Sequence, residues 1–233
     1  MIRYTAADDA RADNHKIRFH NIGIIVSCGK IKMDQLEPNQ RLAAKPFTDI
    51  ENSQQDLVYL ELLRAGLPSI LATLSGNSGE QAGHLASGHE YRVITTDKAT
   101  TLTAPALFAV GFCGTRVPSI SAELMAEMTM VDGDLTDEIY RHPIIVCYAS
   151  IQIEDGNWRN LVLLTQSEGV AHWRESMRHI YATDVLSPRY YTCVRLHNGL
   201  LEQGLRSERM LLTSTKYYDF STPNIWRAIR PQL

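Results

Sequence analysis

The stretch IIVCYASIQIEDGNWRNLVLLTQ, Ile144 to Gln166, decides the fold. Its first part alternates with a period of two: Ile145, Cys147, Ala149, Ile151 and Ile153 are apolar, while Tyr148, Ser150 and Gln152 stand between them. That is the signature of a strand packed on one side. Glu154 to Asn157 holds a glycine and polar residues, a turn, and Trp158 to Gln166 returns as the hairpin partner. Upstream, Ala106 to Cys113 reads as a strand. Ser119 then caps a helix with Ile120, Leu124, Met125 and Met128 at helical spacing, interrupted at Asp132-Gly133-Asp134 and resumed through Ile139 and Tyr140. Downstream, Ser167 to Ala182 reads as an amphipathic helix with Val170, Trp173, Met177 and Ile180 on its buried face. Tyr190 to His197 follows as a strand, closed by Asn198-Gly199. Strand, helix, strand, strand, helix, strand is the ferredoxin-like βαββαβ unit, an α+β module with two helices on one face of an antiparallel sheet.

Working outward, the chain divides into a polar arm (1–19), an N-terminal strand–helix elaboration (20–103), the module (104–200) and a C-terminal strand and tail (201–233). Asn21 to Cys28 predicts a strand, and Gly29 to Phe47 a loop broken by Pro38 and Pro46. A helix is predicted from Ser53, whose spacing to Asp56 fits a capping box. Leu57, Val58, Leu60, Leu62 and Leu63 lie almost all round that helix, and Gly66 and Pro68 should kink or end it. Gly76 to Gly88, with four glycines, reads as a flexible surface loop or a lid over a ligand. It lacks the Lys-Ser/Thr of a phosphate-binding loop. Tyr91 to Thr96 predicts a short strand, and Met210 to Phe220 another, with Trp226 in a short amphipathic segment.

Composition excludes several classes. Hydrophobic residues make up 44% and charged residues 21%, which fits a packed globular chain rather than a disordered one. A net charge of -3 gives no ground for a nucleic-acid or anionic-membrane partner. The longest apolar runs, Ile22–Val26 and Ala104–Val110, are too short to span a bilayer, and the polar N-terminus lacks a signal-peptide core; a cytoplasmic location is expected. Cys28, Cys113, Cys147 and Cys193 each stand alone in strand-like runs without a CxxC, so buried reduced thiols are expected, with Cys113 and Cys193 the better placed for a nucleophile. His172 and His179 are two turns apart, too far to share a metal. The acidic group Asp132, Asp134, Asp137 and Glu138 lacks the glycine that a calcium loop requires. No metal site is predicted.

The strand LVLLTQ, the helix around Ala171-His172-Trp173-Arg174-Glu175-Ser176-Met177-Arg178-His179 and the strand YYTCVRLH resemble the closing half of the dimeric α/β-barrel proteins. That group includes the antibiotic-biosynthesis monooxygenases, and its spheroidene-monooxygenase branch is similar in length and C-terminal pattern. The resemblance implies a homodimer with a cavity between sheet and helices, and a small-molecule enzyme, monooxygenase-like or an isomerase or cyclase, acting on an apolar metabolite. The heme-degrading members carry a helix His after the Ser of this motif and a Trp at the preceding strand end. Here those positions hold Thr183 and Thr165-Gln166, which disfavours heme of that type, and no other cofactor is required by the sequence.

Candidate chemistry follows from strand alternation. With Val194 and Leu196 toward the helices, Tyr191, Cys193, Arg195 and His197 leave the sheet on the opposite face. Placed with Tyr148, Ser150 and Gln152, they predict a polar-ended pocket. Arg195 would stabilise charge, His197 serve as acid or base and Tyr148 assist in catalysis, while Ser150, Gln152 and Tyr191 contact substrate. No acidic residue is expected opposite Arg195, which leaves an anionic or carbonyl-bearing ligand as its partner. A non-catalytic protein of the same fold, its cavity filled by side chains, is the other reading.

Overall fold

The computed structural model describes residues 33–167 and 176–231. These form an α+β structure on one nine-stranded sheet. In chain order the elements are β1 (Asp34–Gln35), α1 (Ile50–Ala72), β2 (Gly79–His84), β3 (Glu90–Thr95), α2 (Lys98–Thr103), β4 (Leu107–Arg116) and α3 (Ala122–Arg141). There follow β5 (Ile145–Gln152), β6 (Trp158–Leu164), α4 (Met177–Tyr181), α5 (Ser187–Tyr190), β7 (Tyr191–Leu205), β8 (Leu211–Asp219) and β9 (Trp226–Pro231). A π-helical turn, Ala182–Leu186, joins α4 to α5. The sheet order is β1-β9-β8-β7-β4-β6-β5-β3-β2, antiparallel throughout except for β1 on β9. Among the described residues no helix is long and apolar enough to cross a membrane.

Helix α1 sets the architecture. Leu60, Leu63, Leu67, Ile70 and Leu71 recur at helical spacing and are buried, each contributing about 1.5–3 kcal/mol on leaving water. They pack on the odd-numbered residues of the central strands: Leu107, Ala109, Cys113, Cys147, Ala149, Ile151, Leu161 and Leu163. The fit at Gly111 is close, since a Cβ there would stand 2.4 Å from Leu60 Cδ1. The opposite face of the sheet meets α3: Ile139 packs with Ile94, Ile145 and Leu164, flanked by Phe108, Val110, Tyr148 and Val162. Leu124 and Val131 of α3 in turn pack against Leu186 of the segment joining α4 to α5. Arg92 of β3 bonds Asp132 (2.6 Å) and Thr136 (3.2 Å), fastening α3 over that side.

Several expectations are corrected. Helix α1 starts at Ile50 behind Asp49, not at Ser53; Ser53 and Asp56 are buried in its inward stripe. Pro68 lies inside the helix, which runs on to Ala72, and Val58 is exposed, so burial is one-sided. Within Gly76 to Gly88 the chain forms β2, hydrogen-bonded to β3 along six residue pairs, and turns at Gly88 (φ 87°), so the segment is neither loop nor lid. Helix α3 is capped by Ser121, not Ser119, and passes through Asp132-Gly133-Asp134 unbroken. Asn198-Gly199 lies inside β7, which runs to Leu205. Met177 is 76% exposed and so is not a core residue. The strand Asn21–Cys28, and Val170, His172 and Trp173 on the second predicted helix, lie outside the described residues. Helix α1 covers one face of the central strands, so that face is not left open for a second copy, as the homodimer implied by the resemblance would need.

Candidate functional site

Register decides which side chains meet. Cys113 of β4 stands opposite Arg159 of β6 and Arg195 of β7, and Arg159 stands opposite Ile151 of β5. Residues directly opposite in an antiparallel pair share a face. Arg195 and His197 therefore lie on the α1 face with Ile151. Tyr148, Ser150 and Gln152 lie on the α3 face, and so does Tyr191, whose ring packs on Phe112 and Gly114. The predicted pocket joining Arg195 and His197 to Tyr148, Ser150, Gln152 and Tyr191 is not formed, because the sheet separates the two sets.

Arg195 and His197 instead join a buried ion network centred on Asp56 of α1. Asp56 Oδ1 accepts from Arg159 Nε at 2.8 Å and Arg195 Nη2 at 2.9 Å. Its Oδ2 accepts from Arg195 Nε and lies 3.1 Å from His197 Nε2. His197 Nδ1 lies 3.0 Å from Thr215 Oγ1, and Arg159 Nη1 also donates to the Gly114 carbonyl at 3.1 Å. All of these side chains are buried. Burial pushes the Asp56 carboxyl up, but hydrogen bonds from His197 and Arg195 and the charges of both arginines outweigh it. They hold the group well below the usual carboxylate range. The expectation that Arg195 lacks an acidic partner is thus overturned: the acid comes from a helix, not from a neighbouring strand.

Asp56, Cys113 and His197 bring three potential metal ligands within 4.8 Å of one another. The donor set does not suit a cation. The carboxylate lone pairs are taken by two guanidinium groups, and both positive charges would repel an ion. Burial, aided by Asp56, pushes the Cys113 thiol well up, so it is neither a ready thiolate ligand nor a nucleophile. Cys113, Cys147 and Cys193 are free and buried. The arrangement pins α1 to β6 and β7, and the polar atoms of Arg195 and His197 that face α1 are engaged by Asp56. Arg159 and Asp56 carried a signal in the sequence: each interrupts an apolar stripe at an inward position, Arg159 before Leu161 and Leu163, Asp56 before Leu60 and Leu63.

The α3 face holds the other predicted residues in a different setting. Phe112, Asn160 and Ser150 lie in one cross-strand row, and Val110, Val162 and Tyr148 in the next. Ser150 is buried; Phe112, Tyr148, Gln152, Asn160 and Tyr191 are half-buried. Tyr191 lies flat on β4 where Gly114 makes room: a Cβ at 114 would sit 2.4 Å from Tyr191 Cε1. Its ring is edge-on to Phe112 (5.4 Å, 63°) and to Tyr190 (4.8 Å, 77°). Burial pushes the Tyr148 phenol up to about 12, with Ser150 hydrogen-bonded to it, and pushes Tyr191 up as well. Burial favours the neutral, protonated form of both phenols. The chain matches no family model, no curated protein and no solved structure.

Proposed function

We propose that this protein binds an apolar small molecule on the α3 side of the sheet, with Tyr191, Ser150 and Gln152 as contacts and Tyr148 as the polar donor. One observation carries the reading: the aromatic pair Phe112–Tyr191, seated over Gly114, lies beside a row of polar side chains on a half-buried face. Such a mix of apolar walls and a few polar groups is what ligand sites offer. In fold terms the reading is a ferredoxin-like βαββαβ module of the dimeric α/β-barrel type. Its support is the order β7-β4-β6-β5, which is fourth, first, third, second, with α3 following β4 and α4–α5 preceding β7. Helix α1 then occupies the face on which such modules pair.

Between the two classes weighed from the sequence, the site favours a ligand-binding protein. Arg195 and His197, the proposed charge stabiliser and acid–base group, are consumed by Asp56. Monooxygenase-like or isomerase chemistry remains the second reading, favoured by one feature, a Tyr148 phenol on the α3 face that burial keeps protonated and so able to serve as a proton donor. The test is fluorescence titration with N-phenyl-1-naphthylamine, an uncharged aromatic probe. Saturable binding is expected, weakened at least about tenfold by Tyr191→Ala, the scale for losing one aromatic contact. No binding, or binding unchanged by both Tyr191→Ala and Phe112→Ala, would remove the site. The absorbance spectrum of the purified protein would reveal a coloured ligand directly.

A further inference from the structure

At the β4–β7 end of this face stands Arg116, a cation that forms no ion pair among the described residues. Arg116 pairs with Tyr191 across the two strands and so shares its face. Its backbone N–H donates to Asn157 Oδ1 at 3.0 Å and its Nε to the same oxygen at 3.3 Å. The Nη2 group lies against Gly156, where a Cβ would stand 2.8 Å away, and Gly156 holds a positive φ of 75°. Two glycines thus clear space, Gly114 for the Tyr191 ring and Gly156 for the Arg116 fork. Asp155, which precedes Gly156 in the same turn, accepts from the Asn157 backbone at 2.8 Å. Among the described residues Arg116 takes part in no ion pair, although it is half-buried and its position is fixed by Asn157. By contrast Arg92, at the other edge of the same face, is fully committed to Glu80 and Asp132.

A planar guanidinium held in place beside aromatic rings matches a ligand that carries both a flat apolar body and an acid group. We propose that the ligand of the α3 face is an aromatic or similarly apolar acid. Its carboxylate, or an equivalent oxyanion, pairs with Arg116, and its body lies on Tyr191 and Phe112. The inference rests on the binding reading above and adds the ligand's charge.

Two probes with the same body separate the two claims. Anilinonaphthalene sulfonate carries an anion; N-phenyl-1-naphthylamine does not. Arg116→Gln should weaken the sulfonate about tenfold or more, the loss of a charge-assisted pair, and leave the neutral probe within about twofold. Arg141→Gln, an exposed arginine at the end of α3, should change neither. Arg116→Lys, which keeps the charge and loses the fork, should fall between, and it decides the matter if far-UV circular dichroism shows that Arg116→Gln does not fold. If both probes bind and the sulfonate is indifferent to Arg116, or is weakened equally by Arg141→Gln, the acid-ligand inference is overturned and the binding reading stands. If neither probe binds, both fall.

Discussion

Replacing Asp56 by Asn keeps the shape of the side chain and removes its charge. Four donor atoms converge on its two oxygens: Nε of Arg159, Nε and Nη2 of Arg195, and Nε2 of His197. The variant leaves two guanidinium groups buried without a counter-charge. Breaking a buried pair from one side costs about 3–5 kcal/mol, because the stranded charge loses its partner and does not regain water. For a chain of this size that corresponds to a Tm lower by roughly 6–20 °C, which differential scanning calorimetry resolves easily. The same argument fixes a rescue. Asp56→Leu combined with Arg159→Met and Arg195→Met removes every charge together and fills the space with apolar atoms, so it should recover most of the loss. A single variant that melts with the native chain, or a triple variant that is no better than the single one, would refute the reasoning.

Further outcomes follow from the same network and packing. Since the Asp56 carboxyl lies below its ordinary value in the folded chain, its contribution is full above the unfolded value of about 3.9 and fades as pH falls through the folded one. The Tm gap between the native chain and Asp56→Asn should therefore hold from pH 7 to about 5 and narrow below about 4. Gly111→Ala drives a methyl into Leu60 and should cost about 1–3 kcal/mol by urea unfolding, while Gly111→Ala with Leu60→Val should recover part of it. Burial pushes the Cys147 thiol up to about 12 and Cys113 well above its usual value. A Cys28→Ser chain should thus react with a thiol reagent at pH 8 only on unfolding; rapid labelling of the native protein would contradict the burial.

The strands of the module were legible because each alternates cleanly, and β5, β6 and the start of β7 fall within one or two residues of their predicted bounds. Parity within β5 and along most of β7 was also legible: Arg195 and His197 do share a face, as do Tyr148, Ser150 and Gln152, whereas Tyr191, expected with Arg195, is carried to the other face by the register shift at Thr115–Arg116. What alternation cannot supply is which parity of one strand faces the same way as which parity of another. That depends on register, and a one-residue slip exchanges the faces. Here Ile151, not Ser150, lies in the row of Arg195, and the pocket drawn across both strands came apart. Asp56 was misread for a related reason. Its spacing from Ser53 fits a helix start, yet the buried stripe of α1 needs the same spacing, and tertiary contact assigned both residues to the inside. Gly76 to Gly88 shows the limit of composition: its glycines lower strand propensity, but pairing along the whole of β3 overrides it.

The position of Asp56 along the chain bears on how the protein assembles. Its partners lie 103 residues away at Arg159, 139 at Arg195 and 141 at His197. Closing loops of that length costs chain entropy before any contact repays it, so contacts of this kind slow folding and form late. Until β6 and β7 have both paired with β4 between them, the carboxylate has no binding place, and α1 has only its leucines to hold it. Leucines alone tolerate a helix that slides along the sheet by a turn. The carboxylate does not, since a shift of one turn, about 5.4 Å, would take it out of reach of both arginines at once. Among hydrophobic packings of similar energy, Asp56 selects one, and it does so at the end of folding, when a wrong choice is hardest to reverse.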